Sequence, residues 1–329
     1  MERTPGNRDA PASEDQSLPP LLRNWILVQD SLKKRLVTEG DFSGKLFPSQ
    51  SPEEQALKYV GGVDVSFSKH DPSIACGCLV VLDFHSLQLL CHDYATVNLQ
   101  VPYVPGFLAF REAPVLLQLL DNMKKTDSPF YPQVLMVDGN GLLHPRGFGL
   151  ASHIGVLANL PTIGIGKNLH HVDGLTQSGV RRLLEAEENR DKDLINLVGS
   201  SGFVWGVAMR STQGSLKPIF VSIGHRLSLD TAIMIVKMTC KYRVPEPVRQ
   251  ADIRSREHLQ KCQTRTLERC KHPNMVVKLR IFCTSRASTV ALNVDRANST
   301  PSSVFSGKTF SLAVEPTVGT KPNQHVHVQ

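Results

Sequence analysis

Residues 58–67, with the sequence KYVGGVDVSF, decide the fold of this chain. Their valines and aromatic residues predict a β-strand, and Asp64 stands between two valines inside it. Two further apolar segments, residues 74–84 and 87–99, follow after short polar connections. Such short connections favour an antiparallel meander of three strands.

Helices and strands alternate in the next part of the chain. Residues 107–125 carry apolar side chains at helical spacing, and residues 150–160 predict a second helix. Short apolar strands are predicted at 134–137 and 162–166. This strand–helix–strand unit should be parallel with a right-handed crossover. The sequence therefore predicts an α/β fold, in which helices cover a mixed sheet of antiparallel meander and parallel strands.

The predicted core is flanked by further elements. A helix is predicted over residues 21–37 before the first strand. After the parallel strands we predict a hairpin over 203–210 and 218–224, an apolar helix over 228–240 and a polar helix over 246–260. The helical periodicity fades after about Lys261.

Composition divides the chain into a disordered segment at 1–20, a folded domain at 21–264 and a basic, disordered tail at 265–329. From Ile253 onward there are 12 Lys and Arg against 4 Asp and Glu, whereas the whole chain has a net charge of +7. The basic part either contacts nucleic-acid phosphates or is a solvated charge run.

The remaining composition indicates the class of protein and its compartment. With 41% hydrophobic and 20% charged residues, the chain suits a soluble protein with one sizeable core. No apolar run approaches the roughly 20 residues that span a bilayer, so no membrane association is expected. Seven cysteines form no disulfide framework, and Cys76 and Cys78 should be buried free thiols of one strand face. A reducing compartment, cytoplasm or nucleus, is predicted.

Two aspartates in apolar strands, Asp64 and Asp138, indicate a metal site. A buried aspartate is costly unless it is paired, protonated or bound to a metal. Asp138 alone, before Gly139, would be interpreted as a capping residue. However, the first strand is expected to pair with the strand of Asp138, and two such close carboxylates ionise together only around a cation. An all-oxygen site suits Mg²⁺, with Mn²⁺ as a substitute.

Other residues near this expected sheet edge suit a phosphate or a nucleobase. Tyr103, in the rigid segment PYVP, either stacks on a base or packs on the core. The segment DGNGLLHPRGFG, residues 138–149, has four glycines that let the backbone approach a ligand closely. Lys167 ends the next strand, where it would offset charge on phosphate. Glu112 alone would be interpreted as a surface residue of its helix.

Together these blocks resemble the endonuclease V family. The segments that carry the resemblance, in the family's order, are GGVDVSF, PYVPGFLAFRE, VDGNGLLHPRGFGLASHIGVL, GIGK, VDGL, SIGHR and PEPVRQAD. They extend over residues 22–260, and FLAFRE with PEPVRQAD is similar to the eukaryotic branch. The resemblance implies a ribonuclease H-like fold with an acidic Mg²⁺ centre, and makes the folded domain the catalytic domain.

The resemblance also implies roles for individual residues. The catalytic centre would comprise Asp64 and Asp138 as metal ligands, Glu112 and Asp252 as further acidic members, and Lys167 and His225 as basic residues that assist phosphate chemistry. The wedge that separates strands would be Pro102, Tyr103 and Pro105, and the hypoxanthine pocket would include Gly106, Leu108, Gly139, Gly141, His144, Gly164 and Gly166. Many relatives have alanine in place of Gly166, which affects how tight that pocket wall is.

The activity that the resemblance implies is Mg²⁺-dependent hydrolysis of the second phosphodiester bond 3′ to inosine. Products carry 5′-phosphate and 3′-hydroxyl groups. We expect RNA as substrate, single- or double-stranded, including edited RNA and tRNA; the alternative is repair of deoxyinosine in DNA. A monomer with RNA-associated protein partners is expected, in the cytoplasm and in the nucleus, including the nucleolus.

Two other classes of function compete with this interpretation. Actin-like ATPases and sugar kinases also use an aspartate-bearing hairpin and an Asp-Gly turn, but they need a second similar domain, and the sequence shows no internal repeat. The other class is a catalytically inactive RNA-binding module. The presence of Asp64, Glu112, Asp138 and Lys167 argues against it.

Overall fold

The computed structural model describes most of the predicted folded domain. The described residues are 18–40, 56–186, 192–212 and 217–271. The disorder predicted for residues 1–17 and 272–329 lies outside the described residues, whereas residues 265–271, also predicted to be disordered, are helical. None of the described helices is both long enough and apolar enough to span a membrane.

Eight strands and six helices make up the described part of the chain. The strands are β1 Tyr59–Phe67, β2 Ile74–Asp83, β3 Leu89–Asn98, β4 Val134–Asp138, β5 Thr162–Gly166, β6 Leu194–Val198, β7 Val204–Met209 and β8 Ile219–His225. The helices are α1 Pro20–Lys33, α2 Leu108–Lys125, α3 Leu150–Ala158, α4 Gln177–Glu185, α5 Leu229–Thr239 and α6 Glu246–Lys271.

All eight strands form one mixed sheet in the order β3-β2-β1-β4-β5-β8-β7-β6. The first three strands are antiparallel neighbours, as predicted. Strand β1 is parallel to β4, and β4 is parallel to β5 through α3. The predicted hairpin is the antiparallel pair β7–β8, and β8 is antiparallel to β5. The predicted α/β fold with a mixed sheet is confirmed.

Helices cover both faces of the sheet, which explains why its central strands are apolar throughout. Leu135 and Val137 of β4 pack with the leucines of α2 and with α3. Met136 faces the opposite side, in a cluster with Val236 of α5 and Val248 of α6. Because side chains alternate along a strand, Asp138 also faces the α5–α6 side.

The sequence patterns missed α4 and β6, and they ended α6 too early. Helix α6 continues to Lys271, so the domain boundary predicted after residue 264 falls inside it. Its second half is polar, and a helix without a continuous apolar stripe gives no periodic signal. Strand β6 is a short five-residue edge strand, which offers few positions for an alternating pattern.

Candidate metal and nucleic-acid site

Three carboxylates meet at the ends of β1 and β4. Oxygen atoms of Asp64, Asp138 and Asp252 all lie within 4.8 Å of one another. The parallel register pairs Val63 with Val137, so the next residues, Asp64 and Asp138, stand side by side. Helix α6 supplies Asp252; its start can approach β1 because Gly62 has no Cβ, which would collide with the carbonyl of Pro247.

Two cations, Lys167 beside Asp138 and Arg256 beside Asp252, offset only part of the charge of this acidic cluster. Burial, and next the charge of Asp138, raises the pKa of Asp64 to about 7. Glu112 of α2 is buried rather than at the surface. Burial, and next the charges of Asp64 and Asp138, raises its pKa to about 8. An oxygen-only donor set with unbalanced negative charge fits a hard divalent cation.

A lysine lies directly against the cluster. The Lys167 ammonium donates a 2.5 Å hydrogen bond to Asp138 Oδ2. Burial alone would lower the pKa of Lys167, but the nearby charges, that of Asp138 first, raise it above its ordinary value. Lys167 is therefore a permanent cation at the sheet edge where β4 and β5 end.

Two serines that sequence analysis missed hold Asp64 in place. Ser255 Oγ donates to Asp64 Oδ2 at 3.1 Å, and Ser66 Oγ donates to the same oxygen at 3.3 Å. The two serine hydroxyls are 2.7 Å apart. Ser66 follows Asp64 by two residues and Ser255 follows Asp252 by three, so the same-face spacing was the available signal. These bonds connect α6 to β1 beside the carboxylates.

The structure corrects the predicted location of His225. Strands β5 and β8 pair antiparallel, and His225 lies opposite Thr162, where β5 begins. Lys167 lies five residues beyond Thr162, so His225 and Lys167 are about 17 Å apart along β5, at about 3.3 Å per residue. His225 Nδ1 instead accepts a 3.2 Å hydrogen bond from the Val37 N–H. His225 does not join the acidic cluster.

The predicted wedge segment lies on the surface before α2. Pro102 and Pro105 are exposed, and Tyr103 has 59% of its surface exposed. Gly106 has φ +83°, and nothing lies within 4 Å of the position of a Cβ there. Of the two interpretations of Tyr103, core packing is thus excluded, and an aromatic face is available for stacking.

The glycines predicted to line a pocket pack the loop 139–149 closely onto the sheet. A Cβ at Gly141 would collide with the carbonyl of Ile223 in β8, and one at Gly164 would collide with the Gly141 nitrogen. At Gly166 a Cβ would collide with Asn140 Oδ1. These three positions therefore fix the backbone of the loop.

Three other predicted pocket residues border the same region. Gly139, at the start of the loop, has φ +153° and lies against Leu150. Leu108 begins α2 and is half-buried. His144 is buried, and burial, with the charge of His170 second, lowers its pKa to about 4. A neutral imidazole is the form present at neutral pH.

A family model and two mammalian relatives all identify the same family. The family model described as Endonuclease V matches residues 42–253. Human endonuclease V is 48% identical over 241 residues, covering 72% of this chain and 83% of the human protein. The mouse protein is 46% identical over 237 residues, covering 72% of this chain and 69% of its own.

Solved structures agree with this family. The catalytic domain of human endonuclease V superimposes with a TM-score of 0.68 and 43% identity, covering 75% of this chain and 99% of that one. A Ciona intestinalis endonuclease V, solved with a 24mer DNA containing an inosine followed by a ribo-adenosine, has a TM-score of 0.68 and 35% identity, covering 74% and 100%. The chain belongs to the endonuclease V family of metal-dependent nucleases, and it is a hydrolase of phosphodiester bonds.

Proposed function

We propose that this chain is a Mg²⁺-dependent endoribonuclease that hydrolyses the second phosphodiester bond 3′ to inosine in RNA, leaving 5′-phosphate and 3′-hydroxyl ends. The observation that carries the proposal is the cluster of Asp64, Asp138 and Asp252 with Lys167 against it. Glu112 joins this cluster from the first turns of α2, so the wedge segment lies just before a residue of the catalytic centre.

The side chains of the cluster have different roles in the proposed reaction. Asp64, Asp138 and Asp252 would hold the divalent cation, which polarises the scissile phosphate when bound. Glu112 would complete the acidic shell from α2, directly or through a water molecule. Lys167 offsets negative charge that develops on the phosphate oxygens. His225 has no part in this mechanism.

Inosine selectivity would come from a base turned out of its stack. Gly106, Leu108 and the loop 139–149 would border the base, and the glycines among them let the backbone approach it closely. Hypoxanthine lacks the 2-amino group of guanine, so closely placed backbone excludes guanine sterically. Its 6-oxygen accepts a hydrogen bond from a backbone N–H, which distinguishes it from adenine. Tyr103 would stack where the base has left.

The nucleic acid of the Ciona complex is a DNA with one ribonucleotide, and the position of that ribonucleotide supports RNA as the proposed substrate. In that complex a ribo-adenosine follows the inosine. The 2′-hydroxyl of this nucleotide neighbours the second phosphodiester bond, which is the bond that we propose is cut. A 2′-hydroxyl is the group that distinguishes RNA from DNA at a given site. The competing proposal is a repair endonuclease for deoxyinosine in DNA.

The compartment and assembly belong to the proposal as well. Cys76, Cys78, Cys91 and Cys240 are free thiols, and Cys76 and Cys78 are buried. Free thiols suit the reducing cytoplasm and nucleus, where edited RNA and tRNA occur. We propose a monomer that acts in both compartments, including the nucleolus, together with RNA-associated proteins.

One assay tests the proposed substrate. It compares oligonucleotides of one sequence that contain inosine in RNA, deoxyinosine in DNA, deoxyinosine followed by a single ribonucleotide, or guanosine in RNA, each with Mg²⁺ or EDTA. We expect the inosine RNA and the chimera to be cleaved in the presence of Mg²⁺ and to stay intact in EDTA. Faster cleavage of the all-DNA strand would favour the repair endonuclease, and equal cleavage of the guanosine RNA would exclude inosine selectivity.

Tyr103→Ala is expected to weaken duplex cleavage more than single-strand cleavage. Loss of base stacking costs about 1–3 kcal/mol, and the wedge is needed most where bases must be unpaired. The measurement is the ratio of single-strand to duplex kcat/KM. Tyr242→Ala is the control, because Tyr242 is 57% exposed and does not belong to the wedge segment. An unchanged ratio for Tyr103→Ala would remove Tyr103 from the mechanism.

Bound Mg²⁺ is expected to stabilise the protein more at pH 8.5 than at pH 6.5. The pKa of Asp64, about 7, and that of Glu112, about 8, mean that the folded state holds protons that the unfolded chain has released. Without a cation, the free energy of unfolding therefore falls as pH rises from about 4 to about 8. A bound cation takes the place of these protons, so the free energy of unfolding no longer falls as pH rises.

The measurement is the difference in Tm between Mg²⁺ and EDTA at each pH. At saturation this difference should be on the order of 5 °C at the higher pH and smaller at the lower pH. Buried His144 and His153, whose pKa values burial lowers to about 4, affect both samples equally. A difference in Tm that does not change with pH would contradict the assignment of the cation to these carboxylates.

A further inference from the structure

Helix α1 lies outside the residues that the family model matches, yet one of its side chains bonds to two parts of the site. Gln29 is only 1% exposed. Its Nε2 donates to the carbonyl of Phe148 at 2.8 Å and to the carbonyl of Gly106 at 3.4 Å. Its Oε1 accepts a 2.6 Å hydrogen bond from Arg146 Nε. A single buried amide therefore bonds both to Gly106, which directly follows the wedge segment, and to the loop 139–149.

Charged groups of α1 reinforce the same connection. Asp30 Oδ1 forms a 2.7 Å ion pair with the Arg146 guanidinium, and the Lys33 ammonium donates to the Arg146 carbonyl at 2.9 Å. The Arg146 guanidinium also lies over the ring of Phe107, 5.6 Å from its centre. Arg146 is thus held between α1 and the residue that precedes α2.

Apart from the contact of Arg146 with the Phe107 ring, each of the two segments that Gln29 joins has hydrogen bonds within its own part of the fold. The turn of the wedge segment closes on itself, with the Phe107 N–H donating to the Val104 carbonyl. The loop is bonded within itself, from the Gly149 N–H to the Gly141 carbonyl, and to β8. Their relative position therefore depends on what packs across both, and Gln29 does so with buried hydrogen bonds.

We propose that Gln29 is a positioning residue that sets the spacing between the wedge segment and the loop 139–149, and through it the selectivity for inosine. This inference rests on the proposed function, because it takes the base to enter between those two segments. A pocket that excludes one amino group by close backbone tolerates little displacement, and a misplacement of about 1 Å costs up to about 10²-fold in rate.

Gln29→Met in the full-length chain tests this role. Methionine keeps the volume and flexibility of the side chain but removes the amide. We expect kcat/KM for inosine RNA to fall about tenfold, mainly through KM, and the preference for inosine over guanosine to fall by a similar factor. The affinity for Mn²⁺ alone, measured by calorimetry, should not change, because no carboxylate has moved.

Two further variants make the result decisive. Arg35→Gln is the matched control, since Arg35 lies just after α1 and donates to the Val156 carbonyl; it should keep the wild-type preference. Arg146→Lys keeps the charge but loses the Nε–H bond to Gln29, so it should lower the preference too, and the double variant should be less than additive.

The possible outcomes separate this inference from the proposed function. If the wild-type protein itself shows no preference for inosine, the proposed function fails. If the wild type prefers inosine, and Gln29→Met and Arg146→Lys keep that preference while losing only thermal stability, Gln29 has a purely structural role and the inference is wrong. Should Gln29→Met not fold, Arg146→Lys alone decides by the same measurement.

Discussion

Replacing Asp138 with asparagine is expected to reduce cleavage by about 10³-fold or more, equivalent to about 4 kcal/mol of transition-state stabilisation. The substitution changes the shape of the side chain little but removes one negative charge from three carboxylates that lie within 4.8 Å of one another. The fold should persist, because the amide oxygen still accepts a hydrogen bond from Lys167. The free protein should stay close to wild-type stability, because the relieved repulsion with Asp64 is offset by the weakened contact with Lys167.

The measurements for Asp138→Asn are single-turnover cleavage with Mg²⁺ and the affinity for Mn²⁺ by calorimetry. Both should fall together, whereas binding of inosine RNA without metal should remain. Asp121→Asn removes the same charge from an exposed position of α2 and serves as the control. Cleavage by Asp138→Asn at the rate of this control would show that the metal centre lies elsewhere.

Lys167→Met should give a different result, in which the cleavage rate falls but the affinity for the metal ion does not. The ammonium is 2.5 Å from Asp138 Oδ2, where it competes with a divalent cation for the same carboxylate charge. Its removal should therefore keep or tighten the affinity for Mn²⁺. The rate at saturating Mg²⁺ should fall about 10²- to 10³-fold, the range for loss of one group that stabilises transition-state charge.

Comparing kcat and metal affinity in the two variants tests whether Lys167 acts on the phosphate or only on the carboxylates. Lys237→Met, at an exposed position of α5, controls for the loss of a lysine. If Lys167→Met weakens the affinity for Mn²⁺ as much as Asp138→Asn does, Lys167 organises the acidic cluster. If kcat alone falls, its role in charge stabilisation is supported.

Local sequence patterns were sufficient to predict the central strands of the sheet and the two aspartates in them. The strand pattern around Asp64 and the short apolar strand before Asp138 are properties of adjacent residues. Because successive side chains of a strand point to opposite faces, such a pattern shows which face of the sheet each residue occupies. Parallel pairing of β1 with β4 then places the two aspartates side by side. The interpretation that both bind one cation followed from the cost of burying two charges.

The positions of His225 and Glu112 could not be obtained in this way. A histidine at a strand end reaches the site only if that strand runs in the right direction, and the antiparallel register of β8 places His225 opposite the first residue of β5. Glu112 has the spacing of a surface helix residue, but it is buried because the start of α2 reaches the carboxylates. Both results depend on how whole elements pack.

By itself, the sequence determined the α/β class, the order of the main strands, the pair of strand aspartates and, through its resemblance, the family. Only the tertiary structure decided that Ser255 holds Asp64 and that Gln29 joins the wedge segment to the loop 139–149. The physical reason is sequence distance. Periodicity reports which side of one element is buried, whereas contacts between residues 191 positions apart, such as Ser255 and Asp64, depend on the packing of helices that no local pattern encodes.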